Sequence, residues 1–171
     1  MTKAKNTSKI IIRYLLLVTV CVTIFWFSSN NGEDSTSQSN FIVNKITGIF
    51  FPSFYSYDVN ARLALHDILT VFVRKGAHFA VYTLLGMLGY ASFFQIKKLW
   101  LRYGCAVGFV FLYACTDEIH QMFVSERTAK ISDICIDTIG GLLGALIIMF
   151  FIVFIKAVKI VEKSNKENPD T

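Results

Sequence analysis

Apolar residues fill four long stretches of this chain, and polar residues return at one end of three of them. The first run, Ile10–Phe27, is interrupted by Arg13; the second is Gly76–Ile96. The third, Leu99–Val124, turns polar near its far end, and the fourth is Ile134–Ile155. A helix crossing a bilayer core of about 30 Å needs about 20 mostly apolar residues. The pattern therefore predicts an all-α integral membrane protein with four transmembrane helices, near residues 10–28, 75–96, 100–124 and 133–156. Residues 1–161 read as one transmembrane domain, and 162–171 as a polar tail expected to be disordered.

The connecting segments are uneven. Residues 28–40 are polar, rich in Ser and Asn, and read as a loop. Ser37, Ser39 or Asn40 is placed to cap a helix from Phe41 to Phe50, too short to span and suited to the membrane interface. The aromatic run Phe50–Tyr57 is broken by Pro52 and reads as an anchor at headgroup level. From Ala61 to Val73 the chain looks helical again and is able to run straight into the second span.

Composition agrees with a membrane protein: 54% hydrophobic and 17% charged, with two prolines. The net charge of +5 does not indicate nucleic acid, because the basic residues fall where topology needs them. Lys3, Lys5, Lys9 and Arg13 lie at the first span, Lys97, Lys98 and Arg102 between the second and third, and Lys156, Lys159, Lys163 and Lys166 after the fourth. With four spans these groups share one side, which the positive-inside rule makes cytoplasmic. Both termini are then expected inside. The basic start also resembles a signal peptide, but the apolar core is long and no small-residue cleavage site follows, so an uncleaved helix is expected. Cys21, Cys105, Cys115 and Cys135 lack zinc-ligand spacing and read as buried free thiols.

The polar residues inside the spans carry the candidate chemistry. Lys75 and His78 open the second span; Asp117, Glu118, His120 and Gln121 close the third; Asp133 and Asp137 open the fourth. A charge in the bilayer core costs about 2.5–3.5 kcal/mol on insertion scales, so charges grouped at one depth point to a site. Residues three or four apart share a helix face. Lys75, His78, Tyr82, Gly86 and Gly89 make one stripe, and Asp133, Asp137, Gly140 and Gly144 another. Glycines at this spacing let membrane helices approach closely, turning the charged ends inward. Asp117, His120 and Gln121 are expected on a third face, with Lys75 against Asp117 or Asp137 and Arg127 over the mouth. Buried carboxylates require pairing or protonation.

These residues resemble a known family. Arg74-Lys75-x-x-His78-Phe79-x-x-Tyr82-x-x-Leu85-Gly86 is similar to the first signature of VanZ-like membrane proteins. Asp117-Glu118-x-His120-Gln121, Arg127 and Asp133-x-x-x-Asp137-x-x-Gly140-x-x-x-Gly144 resemble the second, and Phe27-Ser28-Ser29 a weaker third. Two positions depart from that pattern. Val81 stands where members often have Glu, and Ser125-Glu126 where they often have Pro-Gly. The resemblance implies a multi-pass protein of the bacterial cytoplasmic membrane with an envelope role, by association with resistance to the glycopeptide teicoplanin.

Three functions fit. In the first, an outward-facing polar cavity binds a membrane lipid headgroup, a lipid-linked cell-wall precursor or a lipoglycopeptide. Arg74, Lys75 and Arg127 then engage phosphate or carboxylate. In the second, Asp117, Glu118, His78 and His120 act as acid and base on such a lipid. In the third, the charges only hold helices together. A zinc variant would use His78, His120 and a carboxylate, but no HExxH-type pair is present, so neither metal nor other cofactor is expected.

Overall fold

The computed structural model describes residues 2–167. It contains five α-helices: α1 (Thr2–Ser28), α2 (Gly32–Phe50), α3 (Val59–Ser92), α4 (Leu99–Gln121) and α5 (Ile131–Glu167). A 3-10 turn, Phe54–Ser56, links α2 to α3. Four of the helices, α1, α3, α4 and α5, are long and apolar enough to cross a membrane.

Their outer surfaces explain why. Leu15, Val18 and Val22 on α1, Leu112 on α4, and Phe150, Phe151 and Phe154 on α5 are exposed. Helices that stay apolar on the side away from their neighbours suit a lipid solvent. The interior is smaller. Leu17 and Ile24 of α1 pack with Tyr82 and Leu85 of α3 and Val110 and Ala114 of α4. A second cluster joins Tyr90, Ala106, Ala145 and Met149.

The α3–α5 pair is the most extensively packed. Its contacts advance together along both helices, Phe79 with Gly140 and then Thr83 with Gly144, so the two run parallel. A Cβ on Gly140 would lie 2.6 Å from the Phe79 carbonyl oxygen. One on Gly86 would strike the Gly141 backbone, and one on Gly144 the Thr83 carbonyl. Gly141, outside the glycine stripes seen in the sequence, has no room either, because Val110 of α4 lies against it. Gly89 differs from the expectation: it faces Phe109 and Ala106 of α4 at ordinary contact distance.

Several boundaries move from those expected. Residues 32–40 are helical, because Asn31 caps α2 by accepting from the Asp34 N–H at 2.7 Å. Glu33 and Asp34 in its first turn suit the positive end of the helix dipole. Helix α2 buries Ser39, Val43 and Thr47 and exposes Phe41, Ile42, Ile49 and Phe50. Helix α3 is continuous from Val59, so the stretch before the second span is part of it. Helix α5 continues through 162–167, which composition assigned to the tail, while 168–171 lie outside the described residues. The four cysteines are free, as expected, but Cys105 and Cys135 are exposed on the helix surface. Arg102 is buried at the end of α3, donating from Nε to the Tyr90 carbonyl at 2.5 Å and from Nη2 to that of Ala91 at 3.3 Å. It thus satisfies carbonyls that the last helical turn leaves open.

Candidate functional site

The parallel run of α3 and α5 sets their polar residues level with one another, and the last turn of α4 closes on the same end. Lys75 of α3 pairs with Asp133 of α5 at 2.6 Å. One turn deeper, His78 Nδ1 lies 3.7 Å from Asp137 Oδ2. The expected pairing of Lys75 with Asp117 or Asp137 is therefore corrected. Lys75 and Asp133 are at the same level, and His78 takes the place beside Asp137. Asp117 instead accepts from Gln121 Nε2, one turn along α4, at 3.2 Å.

A polar pocket of about 250 Å³ opens above these pairs. It is lined by Arg74, Lys75, His78, Glu118, Gln121, Arg127, Asp133 and Asp137 among others. Tyr82 and Asp117 lie beneath it, both buried. Glu118 turns toward the α4–α5 loop and accepts from the Lys130 backbone N–H, fixing the segment that carries Arg127. His120 is the residue that does not join. It stacks on Phe25 of α1 with ring centroids 4.4 Å apart and sits 3.1 Å from Ser29 Oγ. The expectation of one face for Asp117, His120 and Gln121 fails at His120 because its ring finds α1.

A second pocket of about 260 Å³ adjoins the first, sharing Arg74, His78 and Arg127. Its wall is mainly apolar: Ile24 and Phe27 of α1, Ile42 of α2, and Val73, Ala77 and Val81 of α3. The Ser28 hydroxyl, from the weakest of the sequence motifs, is buried here. Sequence reasoning missed the α2 wall of this pocket, Ser35, Gln38 and Ser39, since that segment read as a loop.

The two arginines at the junction have no carboxylate partner among the described residues. Arg74 Nη2 donates to Thr36 Oγ1 at 2.7 Å, and its buried Nε has no acceptor. Arg127 Nη2 donates to the Phe27 carbonyl at 3.4 Å. Burial, and then the positive charge of Arg74, lower the Arg127 guanidinium from its ordinary value, while Asp117 and Glu118 act in the opposite direction. A guanidinium still stays charged under such pressure, so the junction has a standing demand for an anion.

The loop before Arg127 has one strained residue. Glu126 has φ 62°, in the left-handed region that favours glycine. Chemically, the site offers imidazole and carboxylate for proton transfer or metal coordination, and guanidinium for anion binding. His78, Asp117 and Asp137 are the residues placed to hold a metal.

No curated protein and no solved structure matches the chain. The VanZ/LLP1 family model matches it over residues 13–154, from α1 to α5 and across both pockets, and the chain belongs to that family.

Proposed function

We propose that the protein binds a membrane lipid with an anionic headgroup, taking the phosphate on Arg74 and Arg127 and the start of the acyl or isoprenyl chain in the adjoining apolar pocket. The observation that carries this reading is the pair of guanidiniums without carboxylates at the boundary between a polar and an apolar pocket. Guanidinium matches phosphate with paired N–H donors. The apolar pocket lies where the rest of an amphiphile must go. Ion pairing accounts for Lys75 and Asp133 but leaves both arginines without a counter-charge, held only by Thr36 and the Phe27 carbonyl.

In the orientation favoured by the basic residues, this pocket opens on the outer face of the bacterial cytoplasmic membrane. Lipid-linked wall precursors have the same two parts, a phosphate and a long chain. A lipoglycopeptide offers a carboxylate and an acyl chain instead. Holding either at the membrane surface is how the protein would contribute to glycopeptide resistance.

The test is lipid retention by the full-length protein in detergent, read by native mass spectrometry. The probes are a phosphatidylglycerol, a phosphatidylcholine and inorganic phosphate. Phosphatidylglycerol should be retained over both others. Arg74→Gln and Arg127→Gln should each weaken it about tenfold or more, since a hydrogen bond to a charged group contributes about 1.5–3 kcal/mol. Equal retention of phosphatidylcholine, or unchanged binding in both variants, overturns the reading.

A further inference from the structure

Three helices bring one imidazole and two carboxylates together beneath the polar pocket. His78 of α3, Asp117 of α4 and Asp137 of α5 each offer a ligand atom, and these atoms lie within 4.8 Å of one another. Asp117 and Asp137 are 4% and 3% exposed, so water does little to stabilise their charge. One oxygen of each, Oδ1, is buried with no hydrogen-bond partner, and the same holds for the Tyr82 hydroxyl beside them. The nearby lysine does not help, since Lys75 is engaged by Asp133.

Two carboxylates this close in a low-dielectric interior need compensating positive charge, either from a proton held by the cluster, on a carboxylate or on His78 at 3.7 Å from Asp137, or from a bound cation. The detail of the cluster favours the bound cation. Gln121 Nε2 holds Asp117 Oδ2 at 3.2 Å and leaves Oδ1 free. Metal-binding carboxylates are commonly oriented by such a neighbour. The donor set of one imidazole and two carboxylates suits zinc, which takes three protein ligands and keeps one position open at sites of exchange or catalysis. Here His78 and Asp137 also line the polar pocket, so an open position would face whatever that pocket holds.

We infer that His78, Asp117 and Asp137 form a binding site for a divalent transition-metal cation, zinc by its ligand chemistry, with its open coordination position toward the polar pocket. The site stands independently of the lipid-binding reading. Zinc lies about 2.0–2.2 Å from nitrogen and oxygen ligands, so filling the site draws the three atoms slightly together. The two negative charges of the aspartates then neutralise the metal, and no charge is left uncompensated at that depth.

The experiment uses the full chain in detergent, stripped with a chelator and dialysed against zinc or cobalt(II). About one equivalent should bind per chain, the cobalt form should show the visible absorption of a low-coordinate nitrogen and oxygen site, and zinc should raise the thermal midpoint. Asp117→Asn and Asp137→Asn should lose stoichiometric binding and the thermal shift. Gln121→Leu should weaken affinity about 10–100-fold, as loss of an orienting neighbour does. His120→Ala should bind as the parent does, because its ring lies against α1. Should an aspartate variant fail to fold, the parent protein still decides the matter. No stoichiometric metal with no thermal shift overturns the site in favour of a proton held by the carboxylates or His78. Full binding retained in folded Asp117→Asn and Asp137→Asn overturns it as well.

Discussion

Lys75 and Asp133 meet at 2.6 Å across the pocket ends of α3 and α5, with about a third of each side chain exposed (38% and 32%). Exposure limits what the pair contributes. Partly solvated ion pairs contribute about 0.2–1 kcal/mol, and so Lys75→Met or Asp133→Asn alone should lower stability by no more than about 1 kcal/mol. The exchange Lys75→Asp with Asp133→Lys should recover most of that loss. Thermal unfolding in detergent, followed by circular dichroism, checks the cycle. A cost of several kcal/mol for either single change would mean that the pair is buried in the assembled protein.

Close helix packing predicts a contrast between two glycines. A Cβ at Gly144 would overlap the Thr83 carbonyl, whereas one at Gly89 meets only Phe109 and Ala106 at 3.7 and 3.8 Å. Gly144→Ala should destabilise by about 1–3 kcal/mol, the usual cost of overpacking. Gly89→Ala should be neutral or stabilising by up to about 1 kcal/mol, because alanine is the better helix former. The order of the two thermal midpoints relative to the parent decides the point, and a Gly144→Ala protein as stable as Gly89→Ala would refute the packing argument.

The spans, and the polar residues that gather at one end of them, were legible in the sequence because lipid imposes long apolar runs and makes each interior charge conspicuous. Partners were less legible. A helical wheel assigns a face but no register between helices, so Lys75 matched several acids until the parallel α3–α5 run set it level with Asp133. His120 shows the same limit: nothing in α1 marks Phe25 and Ser29 as its neighbours. The start of helix α2, residues 32–40, escaped for a different reason, although Phe41–Phe50 was expected to be helical. The helix buries Ser39, Val43 and Thr47, a face too small and polar to leave an apolar stripe. Asn31 with Glu33 and Asp34 was its only start signal. The convergence of His78, Asp117 and Asp137 needed three helices in place, although each residue stood out alone.

Glu126 occupies a backbone conformation that suits glycine, at the second position of the Ser125-Glu126 pair. The VanZ-like pattern that the sequence resembles has Pro-Gly here, which would put glycine at this backbone position. Left-handed backbone costs a non-glycine residue about 1–2 kcal/mol, offset by the greater freedom glycine gains when unfolded. Glu126→Gly should therefore raise stability by about 0.5–1 kcal/mol, and Glu126→Val should lower it, since a branched side chain tolerates this region poorly. Both are read from thermal midpoints; a stabilised Glu126→Val protein would show that the loop does not hold this conformation.

Val81 lines the apolar pocket one turn from His78, at a position where the VanZ-like pattern that the sequence resembles has glutamate. An ionised carboxylate there would face the region proposed for the lipid chain. Solvated or paired with Arg74 or Arg127 across the pocket, it replaces apolar wall with polar surface that disfavours an apolar chain, as the valine does not. Val81→Glu should therefore weaken retention of a long-chain anionic lipid more than that of a short-chain analogue with the same phosphate headgroup. Val81→Leu, which keeps the wall apolar, should retain both. Arg127→Gln gives the complementary pattern, lowering both lipids alike because it acts on the headgroup. Comparing the four proteins by native mass spectrometry separates the two halves of the site. A Val81→Glu variant that loses both lipids equally would mean that this pocket does not hold the chain.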